Sequence, residues 1–167
     1  MLVMLSVLHN QIEKIVPING VSQNFDGTIE IFYVETPSEQ QLIQVNEIIS
    51  SWPFEKKKLE KLAKIDAEWN QTIAQGWDSG QGILGISASD VALYSGNFSM
   101  AKEAANLGYP IPPIITQNDQ EITFSDIQSM TIFMLQYGEY RSSISKTFAA
   151  RRRAVQNATS IEDVEGI

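Results

Sequence analysis

Few residues in this chain could do chemistry. His9 is the sole histidine, so a Ser–His–Asp relay would have to pass through a residue on a predicted N-terminal helix, remote from any loop that could carry a nucleophile. A surface or capping role suits it better. Asp119, Glu121 and Asp126 lie close in sequence and could supply a general acid and base, but a hairpin turn and a helix cap account for the same three residues. Gly80, Gly82 and Gly85 make neither a GxGxxG that opens a helix after a strand nor a loop followed by Gly-Lys-Ser/Thr. One histidine, no cysteine and no close-spaced carboxylate set leave no familiar zinc or calcium spacing. Arg151, Arg152 and Arg153 with Lys146 could meet nucleic acid or an acidic partner; cations near the end of a long helix are also what its macrodipole favours. The expectation is a chain that is not an enzyme and takes no cofactor.

Composition points the same way. With 43% hydrophobic and 19% charged residues in 167, the chain has the make-up of a folded domain rather than a disordered one. The absence of cysteine excludes disulfides, so packing must supply stability. A net charge of −8 repels nucleic-acid phosphates and anionic headgroups, and no nucleic-acid partner is expected. The apolar opening Met1-Leu2-Val3-Met4-Leu5-Ser6-Val7-Leu8 lacks a basic flank and a small-residue cleavage site, and is too short to cross a bilayer. No membrane insertion is expected; the segment should pack on something, another subunit included.

The elements that position these residues can be read from periodicity. Leu5, Leu8, Ile12 and Ile15 make one helical stripe that stops before Pro17. Asn19-Gly20 reads as a turn, and Thr28 to Val34 as a strand. Thr36-Pro37-Ser38-Glu39 reads as a cap that starts a helix at Pro37. Leu42, Val45, Ile49 and Trp52 form its buried stripe, and Pro53 should interrupt it. Residues 1–53 thus read as an α–β–α docking domain, and residues 54–167 as a helical domain. In the latter, Lys56, Lys57, Lys58, Lys61 and Lys64 form the solvated side of a helix that ends at Gly76. Residues 77–85 form a loop or weak strand. Ser87 with Asp90 caps the next helix, which Gly108 ends. Residues 114–122 suit a small β-hairpin turning at Asn118-Asp119. Thr123 with Asp126 should open the longest helix. From Ile127 the positions Met130, Met134, Tyr137, Arg141, Ile144, Phe148, Arg151, Val155 and Ala158 alternate steps of three and four. Ser160 could cap a last short turn. The fold class expected is α+β, mostly α.

An apolar stripe of this kind either closes a core within its own chain or packs against another subunit. The length of the seam and the apolar N-terminus suggest more ridge than one small chain can cover. Leu5, Leu8, Ile12, Ile127, Met130, Met134, Tyr137, Arg141, Ile144, Phe148, Arg151 and Val155 are therefore the expected interface of a homo-oligomer. Arg141 and Arg151, if buried there, need carboxylate partners, on this chain or a neighbour. Trp69, Trp77, Tyr94 and Tyr109 could stack on sugars if exposed, or belong to the core.

Two segments carry a resemblance. Ile12-Glu13-Lys14-Ile15-Val16-Pro17-Ile18-Asn19-Gly20-Val21-Ser22, followed by a strand and Glu35-Thr36-Pro37-Ser38-Glu39-Gln40, resembles the opening of small bacteriophage tail-region proteins, with Asn19 where those carry Asp. Met134-Leu135-Gln136-Tyr137-Gly138-Glu139-Tyr140 and Ala149-Ala150-Arg151 to Thr159 resemble the helical domain of unknown function common in phage tail-fibre and tail-associated proteins. That resemblance implies a virion structural role in the tail, as a fibre piece or baseplate-proximal adaptor docked to other tail proteins, with no catalytic residues to carry over. A fibre-assembly chaperone that leaves before the particle matures is the alternative.

Overall fold

The computed structural model describes residues 2–167, with side chains from Met4 onward. The expected packing of the apolar N-terminus falls outside the described residues for Met1 and for the side chains of Leu2 and Val3. The elements run α1 (Leu2–Glu13), β1 (Ile18–Gln23), β2 (Ile29–Tyr33), α2 (Glu39–Gln75), β3 (Trp77–Asp78), β4 (Ile83–Leu84), α3 (Ala88–Asn106), β5 (Ile114–Ile115), β6 (Glu121–Ile122), α4 (Ile127–Asn157) and α5 (Ile161–Glu165). The fold is α+β and mostly α, its strands paired in three small antiparallel ladders. The chain divides into two compact units, residues 1–63 with 154–167 and residues 64–153. The boundary expected at residue 53 falls inside α2, because that helix does not stop at Pro53.

In the first unit, β1 and β2 form a hairpin whose register slips between Ile18 and Gly20. Asn19-Gly20, expected as a turn, is that irregularity within β1. The turn lies instead at Asn24–Thr28, where Asp26 Oδ1 accepts from the Thr28 amide (2.9 Å) and hydroxyl (2.6 Å). Leu8, Ile12, Val16, Ile18, Val45 and Trp52 form the buried cluster.

Ser38, not Thr36, caps α2. Its Oγ accepts from the Gln41 amide while the Gln41 carboxamide oxygen accepts from the Ser38 amide, a reciprocal box two residues beyond the expected one. Gln41 Nε2 also donates to the Ile15 carbonyl (2.9 Å), which ties the cap to the end of α1.

Pro53 sits within the 37-residue α2. It offers no N–H to the Ile49 carbonyl and crowds the preceding turn, at a cost of about 3 kcal/mol. The helix persists because Val45 and Trp52 are buried on one side of the proline and the lysines beyond it are anchored. Lys57 Nζ pairs with Glu165 (2.8 Å), and Lys58 Nζ reaches the Gln156 carbonyl (3.1 Å). The expected solvated lysine side is thus partly engaged: Lys57, Lys58 and Lys61 meet carboxylate or carbonyl groups at the ends of the last helices. Lys57 holds the Glu165 carboxyl below its usual range, and is itself raised by it.

In the second unit, Gly76 (φ +72°) terminates α2 and Gly108 (φ +78°) follows the C-cap of α3. Ser87 and Asp90 form the expected capping box. The β5–β6 hairpin pairs Ile114 with Ile122 and turns through Asp119 at φ 58°. Its Gln117 amide donates to the Ile83 carbonyl at the end of the neighbouring β3–β4 pair (2.8 Å). The cap of α4 is Asp126 rather than Thr123: Asp126 Oδ1 accepts from the Ser129 amide (2.7 Å), which lowers the Asp126 carboxyl below its usual range.

The persistence of α2 through Pro53 makes a prediction. Replacing Pro53 with Ala restores an amide to the Ile49 carbonyl and loses only the unfolded-state restriction of proline. Urea unfolding should show stability raised by roughly 1–3 kcal/mol. An unchanged or lower midpoint would mean that the helix is not continuous there.

Candidate functional site

The expected interface residues lie mostly inside their own chain. In the second unit Met130, Phe133 and Tyr137 of α4 are buried with Leu84, Ile86, Tyr94, Ala101, Ile114 and Ile122, and Ile127, Met134 and Ile144 pack against that cluster. Phe148 is buried and meets Trp69 edge-on at 5.2 Å. In the first unit Leu8 and Ile12 are fully buried, Leu5 packs beside them, and Val155 is fully buried. The seam thus packs within its own chain, with Leu8, Ile12, Met130, Tyr137, Phe148 and Val155 buried and Leu5, Ile127, Met134, Arg141, Ile144 and Arg151 partly covered. Pattern alone could not separate the two, because a core stripe and a docking stripe have the same period.

The two seam arginines are satisfied without a neighbour. Arg151 Nη1 meets Glu68 Oε2 at 2.6 Å, and Arg152 pairs with Asp66 at 2.8 Å. Arg141 takes no carboxylate: its Nε donates to the Ile86 carbonyl (3.3 Å). The arginine run thus serves α2 more than the macrodipole that the sequence suggested.

Beside Arg141 lies the most constrained polar cluster of the second unit. Tyr137 donates its hydroxyl to the Gly85 carbonyl (2.8 Å), and the Gly85 amide donates to the Tyr94 hydroxyl (3.3 Å). The rings stand edge-to-face at 5.5 Å. A Cβ at Gly85 would lie 2.3 Å from the Asp90 carboxyl, whose Oδ2 accepts from the Ser87 amide and hydroxyl. Burial raises both tyrosines, Tyr137 to about 12. Trp77 packs on Phe133, Tyr137 and Tyr140. Of the four aromatics considered for sugar stacking, Tyr109 remains exposed.

The acids once considered as a catalytic pair have structural duties. Asp119 turns the hairpin, Glu121 lies in β6, and Asp126 caps α4. His9 lies 3.6 Å from Glu13, one turn along α1.

The structure adds two further features. The first is a groove of about 740 Å³ along α2 and the β1–β2 hairpin, lined by Ile29, Ile49, Trp52, Pro53 and Lys56 among others. Trp52 Nε1 is buried without an acceptor, and Lys56 donates to the Gln23 side chain (3.2 Å). The second is a set of large apolar side chains left in water: Phe25, Phe32, Val34 and Ile43 in the first unit, and Leu93, Met100, Leu107, Ile132 and Leu135 in the second. Phe32 in β2 and Val34 just beyond its end are exposed at alternate positions, and alternation could have flagged them.

The chain matches no protein-family model, no curated protein and no solved structure. No helix among the described residues is long and apolar enough to cross a membrane.

The tyrosine cluster makes a prediction with a defined sign. Tyr137 ionises near 10 when unfolded and near 12 when folded, so its contribution is complete below pH 10 and is lost as pH rises from about 10 towards 12. Tyr137→Phe strands the buried Gly85 carbonyl and should cost about 1–3 kcal/mol at pH 7. Unfolding followed against pH should show wild type losing more stability than the variant across that window. Parallel curves would remove Tyr137 as the group responsible.

Proposed function

We propose that this chain is a non-enzymatic structural protein of a bacteriophage tail, a tail fibre or baseplate-proximal adaptor that acts by packing against other proteins. The assignment to the tail rests on the resemblance of residues 12–22, 35–40 and 134–159. The docking reading no longer rests on an over-long seam, because that seam is filled from within. What carries it is the outward surface of the first unit. There Phe32 and Val34 stand in water beside one another on the hairpin, and Phe25 is fully exposed at its turn.

Exposed apolar side chains scattered singly are ordinary, but a run of them on a two-stranded hairpin is a surface that gains by being covered. About 25 cal/mol per Å² of apolar area removed from water favours such contact. In a fibre or adaptor this unit would dock to the tail and leave the second unit for other contacts.

Mass spectrometry of purified particles tests the reading. The chain should be present in amounts comparable with other tail components, and Phe32→Glu should lower its incorporation at least tenfold while leaving its melting temperature within a few degrees. Absence from mature particles, with presence in assembling lysates, would overturn the virion role in favour of an assembly chaperone.

A further inference from the structure

Between α3 and α4 runs a groove of about 370 Å³, lined by Val91 and Ser95 of α3 and, on α4, by Met134, Arg141, Ser142 and Ser145 among others. Its cation, Arg141, is held in place. The side chain is half-buried and its Nε donates to the Ile86 carbonyl at 3.3 Å. Among the described residues no carboxylate comes to its guanidinium, whereas Arg151 and Arg152 each have one. With Nε taken, the two Nη nitrogens remain, a flat pair of donors whose spacing matches the two oxygens of a carboxylate. Ser95, Ser142 and Ser145 line the same groove, and among the described residues their hydroxyls are bonded to no other group of the chain.

The groove's charge is that of Arg141 alone. Tyr137, the other titratable group on the lining, is neutral at pH 7, since its hydroxyl is donated to the Gly85 carbonyl and burial raises it to about 12. Asp90 is near enough to act on Tyr137, but it does not line the groove, and its Oδ2 accepts from the Ser87 amide and hydroxyl. Gly138 leaves room on the α4 side. It lies inside the helix, where glycine is disfavoured against alanine, and a Cβ there would meet nothing within 4 Å. No close approach of another element requires it; its effect is open space one turn from Arg141.

We propose that this groove binds a monocarboxylate that carries a short aliphatic group, the carboxylate on the Nη pair of Arg141 and the serine hydroxyls, the aliphatic part against Val91 and Met134. A partly desolvated charge gains by acquiring a counter-ion. The apolar walls decide which one. Phosphate would bring a second charge and more hydrated oxygens against Val91 and Met134, with a larger desolvation cost. A net charge of −8 also opposes a dianion more than a monoanion. At a screening length of about 8 Å in physiological salt, the cation inside the groove outweighs distant acids for a ligand bound against it. The site lies wholly in the second unit and does not rest on the tail assignment.

Sodium butyrate titrated into the full-length protein at constant ionic strength, followed by proton–nitrogen NMR, tests the site. The Arg141 Nε–H and the Ser142 and Ser145 amides should shift saturably, with half-saturation in roughly the millimolar range that so small a ligand allows. Butyramide and butylammonium, alike in shape but without the anion, should bind at least tenfold more weakly. Acetate, which lacks the aliphatic reach, should bind at least threefold more weakly. Arg141→Gln should lower the butyrate affinity at least tenfold. Because Arg141 also holds the Ile86 carbonyl, Gly138→Glu is the independent variant: it sets the chain's own carboxylate one turn from Arg141 and favours the helix. It should abolish the butyrate shifts with no fall in melting temperature. Butyramide binding as tightly as butyrate, or butyrate shifts that survive in Gly138→Glu, would overturn the site. Phosphate binding more tightly than butyrate would overturn the monocarboxylate as its ligand.

Discussion

The second unit depends on the backbone at Gly85. Its carbonyl and amide are taken by the hydroxyls of Tyr137 and Tyr94, one from α4 and one from α3, and the Asp90 carboxyl fills the space where a side chain would stand. In a buried setting such bonds are strengthened by the low local dielectric, and a missing partner is correspondingly costly. Two helices are thereby fixed to one turn of chain, which commits the inward side of α4 to its own core. Arg141 extends the grip by donating to the next carbonyl, that of Ile86.

Once α4 faces inward, the surfaces open to other proteins are determined by what remains. The first unit keeps its apolar side chains on the hairpin and at the start of α2, and the second keeps them on the outer sides of α3 and α4. Helix α3 is the informative case. Tyr94 and Ala101 are buried in the core, whereas Leu93, Met100 and Leu107 stand exposed.

Much of the fold was legible in the sequence because its signals are local. The Ser87 and Asp90 box, the glycines at 76 and 108, and the Asn118-Asp119 turn each act within four residues of where they stand. Errors arose where a local signal was outweighed. Pro53 reads as a stop, but Trp52 and Val45 bury enough apolar surface to carry the helix past it. Asn19-Gly20 reads as a turn, but the strand absorbs it as a register slip. The seam on α4 was found with its residues correct and its partner unsettled, since period records that a side chain is covered and not by what. The groove beside Trp52 depends on contacts between the hairpin and α2, and no single segment announces it.

The central claim is that the long helix is closed by its own chain and that docking belongs to other faces. Oxidative footprinting of the free protein, diluted until no oligomer survives, tests it most directly, because methionines sit on both kinds of surface. Met100 is 60% exposed and Met130 is 0% exposed. The account predicts rapid oxidation of Met100 and oxidation of Met130 only at the rate of global unfolding. Oxidation of Met130 at a rate near that of Met100, rising on dilution, would mean that a second chain covers the seam and would contradict the account.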